Sequence, residues 1–233
     1  MDAAGVEIPQ ALRDEVVRIH GAFVEEFVED RGWCPFARAA RRAATSEVRV
    51  LWRAVGPDAP LQQWAPLGDW LDEFASGSLE ILQVVCPLID APARAWERRT
   101  RELLDAYQSG LERSAIAMAA FHPDLEMRFV TGPGIVPLLR RSPFAMIQFV
   151  RLDALERVRQ GRSGADVFVA PGTPEFYELL NTVPKKPLGK AIVEANFEQV
   201  TREGVELVEA ALNELAVRAR VAVAGSGRRV ASW

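Results

Sequence analysis

The sequence predicts an α/β fold: a four-stranded mixed, mainly parallel sheet flanked by helices, plus a C-terminal helical extension. Three observations point there. Over the first 160 residues, short apolar runs rich in strand formers alternate with stretches whose apolar residues recur at helical spacing, the pattern of strands linked by helices. From residue 191 to 219 a single long helical pattern follows with no strand after it. The 233 residues are 49% hydrophobic and 26% charged, enough apolar surface for one large core and unlike a disordered chain.

Leu12, Val16, Ile19, Phe23 and Phe27 share one face of a first helix running from Pro9 to about Asp30. Pro9 suits its first turn and Gly32 its exit. A proline at a first helical position then makes Pro35 the start of a short second helix, PFARAARRAA, with Cys34 as its N-cap residue. Glu47 to Val55 (EVRVLWRAV) alternates Val48, Val50 and Trp52 against Arg49, Leu51 and Arg53, as a half-covered strand does. Leu67, Trp70, Leu71 and Phe74 predict a helix over 66–75. Leu79 to Cys86 (LEILQVVC) is a buried strand bounded by Gly77, Ser78 and Pro87. A helix over 91–109 ends at Gly110, and Ala115 to Phe121 (AIAMAAF), the most continuous short apolar stretch, forms a third strand at the sheet centre. A loop containing Gly132, Pro133, Gly134 and Pro137 leads to the last strand, Phe144 to Arg151, and Asp153 caps a short helix reaching Arg159.

Past Gly161 the composition changes. GRSG reads as a linker, so residues 1–160 form the α/β domain and 161–233 the helical extension. In the extension, PGTPEFYELLNTV is a short helix, VPKKPLGK a loop covered by Lys185, Lys186 and Lys190, and 191–219 the long amphipathic helix, kinked at Gly204. The tail AGSGRRVASW reads as a mobile end.

A net charge of -4 and a pI near 5.4 argue against a nucleic-acid partner held by counterion release. Apolar runs never reach the roughly 18 to 20 residues of a membrane span, so no membrane partner is expected. The opening MDAAGVEIPQ lacks the pattern of a secretory leader, which places the chain in the cytoplasm, with Cys34 and Cys86 as thiols. Neither paired CxxC nor HxxxH spacing occurs, so no metal is expected, and no cofactor motif is present. His20, within the first helix, reads as an ordinary core residue.

Topology gathers the polar residues. The first three strands, linked by helices, run the same way, so their carboxyl ends share one edge, where ligands bind in open sheets. Cys86 ends the second strand, and His122 and Asp124 follow the third. The loop before the last strand holds no full crossover helix, which makes that strand antiparallel and brings Arg141 and Ser142 to the same edge. Cys34 returns there at the start of the second helix. A thiol facing free backbone N–H groups beside Arg38 and Arg41 is expected to ionise readily. His122 is the candidate base and Asp124 its orienter, the nucleophile–base–orienter pattern. Arg141, Ser142 and Arg38 are the candidate grip on a small anionic molecule.

WCPFA at 33–37, FHPD at 121–124 and RSPFAMIQFVR at 141–151 resemble, in order and spacing, the bacterial and plant family called domain of unknown function 1415. The resemblance covers about residues 9–160 and implies that Cys34, Pro35, Phe36, His122, Pro123, Asp124, Arg141, Ser142 and Pro143 are family motif positions. The family's longer, aspartate-rich segment between its second and third elements is replaced here by the apolar LEMRFVTGPGIVPLLR. The resemblance brings no reaction with it.

Two readings are open at this point. One is a thiol-dependent enzyme performing acyl transfer, hydrolysis or redox chemistry with Cys34, His122 and Asp124. The other is a non-catalytic ligand-binding or assembly protein whose motifs are structural, with homo-oligomers formed through 191–219.

Overall fold

The computed structural model describes residues 8–34, 36–56, 58–64, 66–109, 116–127, 133–154, 188–227 and 231–232. Its centre is a four-stranded sheet made of β1 (Ser46–Val50), β2 (Ile81–Val85), β4 (Ile116–Phe121) and β5 (Met146–Arg151), ordered β1-β2-β5-β4. β1 pairs parallel with β2, and β5 pairs antiparallel with both β2 and β4. Hence β1, β2 and β4 point the same way, as their connections require, and their carboxyl ends share one edge. Only one neighbouring pair is parallel, because β5 is inserted between β2 and β4.

That insertion corrects the expected position of AIAMAAF. β4 is an edge strand, with only Ile116 and Ala120 fully buried, whereas every residue of β2 is buried. Among the described residues, the segment between β4 and β5 carries one 3-10 turn (Pro133–Ile135) running into the four-residue helix α5 (Val136–Leu139), too short to cross the sheet, and β5 pairs antiparallel beside β4. Three alanines give β4 little bulk to fill a two-sided core. β2, with Ile81, Leu82, Val84 and Val85, supplies that bulk and takes an inner place.

The strand alternation divides the interior into two cores. Leu82, Val84, Ile147 and Phe149 face α3 (Leu67–Ser76) and α4 (Ala93–Gln108), where Trp64 and Trp96 are fully buried. Val85 and Met146 face the other way, against α1 (Gln10–Phe23) and the wider π-helical turns that continue it over Val24–Asp30. Val16, Ile19, Phe23 and Phe27 are wholly buried there. Burial of each such side chain is worth about 1.5–3 kcal/mol, which is what holds α1 on the sheet. Gly32 leaves this helix at φ +66°, a left-handed exit that suits glycine.

The C-terminal helical region completes the same core. α6 (Leu188–Glu203) and α7 (Val205–Gly225) are separated at Gly204, whose φ of +101° breaks the helix where a kink is expected. Val208, Leu212, Leu215, Ala219 and Val223 of α7 pack with Leu12, Val16, Ile19 and Phe23 of α1. α6 is tied down by Asn196 Nδ2, which donates to Trp33 O at 3.1 Å, and by Glu203, whose carboxylate accepts from Arg31 at 2.6 to 3.0 Å. The linker at 161–164, the short helix after Thr173 and Lys185 and Lys186 fall outside the described residues, as does Gly110. No described helix is long and apolar enough to cross a membrane.

Two further differences bear on the site. α2 (Ala37–Arg42) begins later than expected and its N-cap is Phe36, not Cys34. The tail, expected to be mobile, instead returns to the fold: β6 (Ala231–Ser232) pairs parallel with β3 (Ile89–Asp90), just past the end of β2.

Candidate functional site

Register brings three chain segments level at one edge of the sheet. Met146 stands opposite both Val85 and Phe121, so the next residues out, Cys86, Ala145 and His122, lie side by side on β2, β5 and β4. Cys86 N–H donates to Ala145 O at 2.8 Å, the last rung of the ladder. Each segment then meets a proline: Cys86-Pro87, His122-Pro123 and Ser142-Pro143. A proline has no N–H to continue a ladder, and its ring fixes the chain's direction, so the ladder ends directly after Cys86 and His122, while Pro143 stands two residues before Ala145 on the third segment. The space beyond is a cavity of about 230 Å³. The three prolines, Cys86, His122 and Phe144 line it, β3 contributes Ile89 and Asp90, and α7 closes one side with Ala219, Arg220, Val223 and Ala224.

His122 is buried at this edge and held by backbone. Its Nδ1 accepts from the Asp124 N–H at 3.1 Å, its ring hydrogen-bonds the Ala91 backbone, and its own N–H donates to Arg140 O at 3.1 Å. Burial pushes its pKa down, opposed by the Asp124 and Asp90 carboxylates, so the neutral ring is favoured. Asp124 touches His122 through its backbone; its carboxylate points to Arg220 of α7 and accepts a hydrogen bond from that guanidinium. The pair is half exposed and lies on the cavity rim.

Arg141 and Ser142 are near the cavity but are committed to holding it together. Arg141 Nε donates to Pro123 O at 3.1 Å, Nη1 to Glu209 Oε1 at 3.1 Å and Nη2 to Asn213 Oδ1 at 2.7 Å, so one guanidinium ties the FHPD turn to α7. Ser142 is buried and its hydroxyl donates to Phe144 O at 2.5 Å, closing the turn into β5. Neither side chain lines the cavity.

Cys34 and Arg38 lie elsewhere. Cys34 packs against the core formed by α1 and α7 and is absent from the cavity lining. The expected readily ionised thiol is corrected: burial raises the Cys34 pKa, with hydrogen bonds from the Phe36 and Ala37 backbone N–H groups only partly opposing it. Arg38 Nη2 donates to Asp30 Oδ1 at 2.7 Å, and Arg41 forms a two-pronged pair at 2.6 Å with the buried carboxylate of Glu29. Both cations stabilise the turn leaving the first helix. The Cys86 thiol lines the cavity but is fully buried, and desolvation pushes its pKa far up.

Four of the residues gathered at the sheet edge by topology, Cys86, His122, Pro123 and Asp124, therefore share one cavity, while Cys34, Arg141, Ser142 and Arg38 do not line it. Sequence reasoning missed Asp90 and Arg220. The signal for Asp90 was present in CPLID, where a proline closes β2 and a short polar-ended strand follows. Arg220 carries no such signal, because its position over the rim depends on how α7 docks. Among the described residues no group of three or more His, Cys, Asp or Glu side chains is placed to hold a metal ion. No protein-family model matches this chain, and neither a curated protein nor a solved structure does.

Proposed function

We propose that the protein is a small-molecule-binding protein whose motif residues build and brace the cavity. The observation that carries this reading is the coincidence of three proline-flanked strand ends around one concave, mostly apolar space at the carboxyl edge of the sheet. Its volume suits a ligand of roughly ten non-hydrogen atoms. The anionic grip expected of Arg141, Ser142 and Arg38 is not part of the proposal, because none of the three lines the cavity and their donors are engaged in internal contacts. The test is a ligand-observed NMR screen with neutral, cationic and anionic benzene derivatives against the full chain and Ala224→Trp, which fills the rim from an exposed position. Binding that the variant abolishes supports the reading; no binding, or binding untouched by the variant, overturns it.

A thiol-dependent reaction at Cys34 is the second reading, favoured by the two backbone N–H groups that reach its sulfur. Iodoacetamide labelling at pH 7.5 decides it. A Cys34 that reacts faster than a free peptide thiol supports thiolate chemistry, and one that reacts more slowly, as its burial predicts, removes it. Self-association through 191–219 belongs to the assembly alternative, and the outward-facing Leu207, Val217 and Val221 of α7 are the residues that favour it. Sedimentation of the chain with all three changed to Ser tests that role.

A further inference from the structure

We propose that the cavity selects a small organic cation, an apolar body bearing a primary ammonium or a comparable N–H donor, with its charge set against Asp90. The proposal rests on the ligand-binding reading and specifies its ligand class.

The argument is an inventory of donors and acceptors. Three of the residues around the space, Pro87, Pro123 and Pro143, have no backbone N–H to offer. The His122 ring is already hydrogen-bonded to the Asp124 and Ala91 backbone. The Arg220 guanidinium is the one cationic group in the lining, and it is paired with Asp124. Cys86 is a weak donor directed to Val84 O. What remains on offer is an acceptor: the carboxylate of Asp90, which is exposed at the rim and makes no hydrogen bond or ion pair with any described residue. With a neutral imidazole, the lining carries two carboxylates and one guanidinium, a net charge of about -1. A carboxylate-bearing ligand would meet that excess negative charge and find Arg220, the one cation among the described lining residues, occupied. An ammonium meets an open acceptor, and its hydrocarbon body fills the space between Ile89, Phe144 and Val223.

The experiment compares benzylamine, an ammonium at pH 7, with benzyl alcohol and benzoate, each titrated into the full chain and followed by ligand-observed NMR. Benzylamine is expected to bind about 1.5-fold to fivefold more tightly than benzyl alcohol, the range an exposed ion pair supplies, and benzoate most weakly. The Asp90→Asn variant, exposed and therefore expected to fold, brings the ratio of amine to alcohol affinity, measured within the variant, close to one; a melting curve checks its fold. Equal affinity of amine and alcohol, a preference for benzoate, or a preference that survives Asp90→Asn overturns the cation proposal and leaves ligand binding standing. Binding of none of the three overturns both.

Discussion

Arg141 Nη2 lies 2.7 Å from Asn213 Oδ1, a contact between residues 72 positions apart that fixes α7 over the carboxyl edge of the sheet. The same guanidinium holds Pro123 O and Glu209, so one arginine adds a polar tie between the FHPD turn and a cavity wall whose other face is docked by hydrophobic packing on α1.

Arg141→Ala is therefore expected to destabilise the protein by about 1–2 kcal/mol, since it removes three cation-donated hydrogen bonds, of which the one to exposed Asn213 contributes least. Arg141→Lys recovers less than half of that, because one ammonium cannot reproduce a planar fork spanning two elements. Urea unfolding of the three proteins gives both differences.

His20 predicts an acid-sensitive stability. Its Nε2 donates to Gln83 Oε1 at 3.1 Å, the Gln83 amide donates to Gln148 Oε1 at 3.2 Å, and complete burial lowers the His20 pKa to about 4. The folded state resists protonation, whereas the unfolded chain takes up the proton near pH 6.5. Stability is thus fully present above pH 6.5, falls as pH drops toward 4, and this group's loss levels off below that, by about 3 kcal/mol in all. His122, also lowered by burial, acts in the same direction. His20→Gln keeps a hydrogen-bonding amide but cannot titrate, so denaturation midpoints of the two proteins at pH 7 and pH 4 isolate the His20 contribution. Parallel pH profiles would contradict it.

Gly204→Ala is expected to cost about 1–3 kcal/mol. At φ +101° an L side chain is strained, although the added methyl would meet only Leu207 Cδ1 at an ordinary 3.5 Å. The penalty is thus one of backbone conformation, and since the ψ of 116° lies outside the left-handed helical region that asparagine tolerates, Gly204→Asn is expected to lose about as much as Gly204→Ala. Thermal melts compare the three.

The helices and strands were legible wherever periodicity and punctuation agreed. The 4-3-4-4 spacing of Leu12 to Phe27 marked α1, and the bounded run LEILQVVC marked β2. Strand direction was legible too, since the lack of a full crossover-helix pattern before β5 separates it from the others. Sheet order was not. AIAMAAF is continuous and apolar but small, and hydropathy cannot weigh side-chain volume against a neighbour's, so the edge strand was expected at the centre. The carboxyl-edge cluster of Cys86, His122 and Asp124 followed from topology. The misplacement of Cys34 came from moving a helix start by two residues, which changes the residue at the N-cap and leaves the thiol packed on hydrocarbon. Arg141 and Ser142 have the composition of an anion clamp, and only the positions of Glu209, Asn213 and Phe144 reveal that their donors are spent internally.

The two interior cores differ in how much of the chain each must wait for. Among the described residues, the one around Trp64 and Trp96 draws on Leu51 to Phe149 and can close soon after that stretch leaves the ribosome. The other joins Ile8–Val28 to Val200–Val223, so during synthesis the first helix carries an uncovered hydrocarbon stripe until Val200–Val223 has been made. That interval is when a chaperone would be needed most, and truncations that stop before residue 200 are the ones that would aggregate.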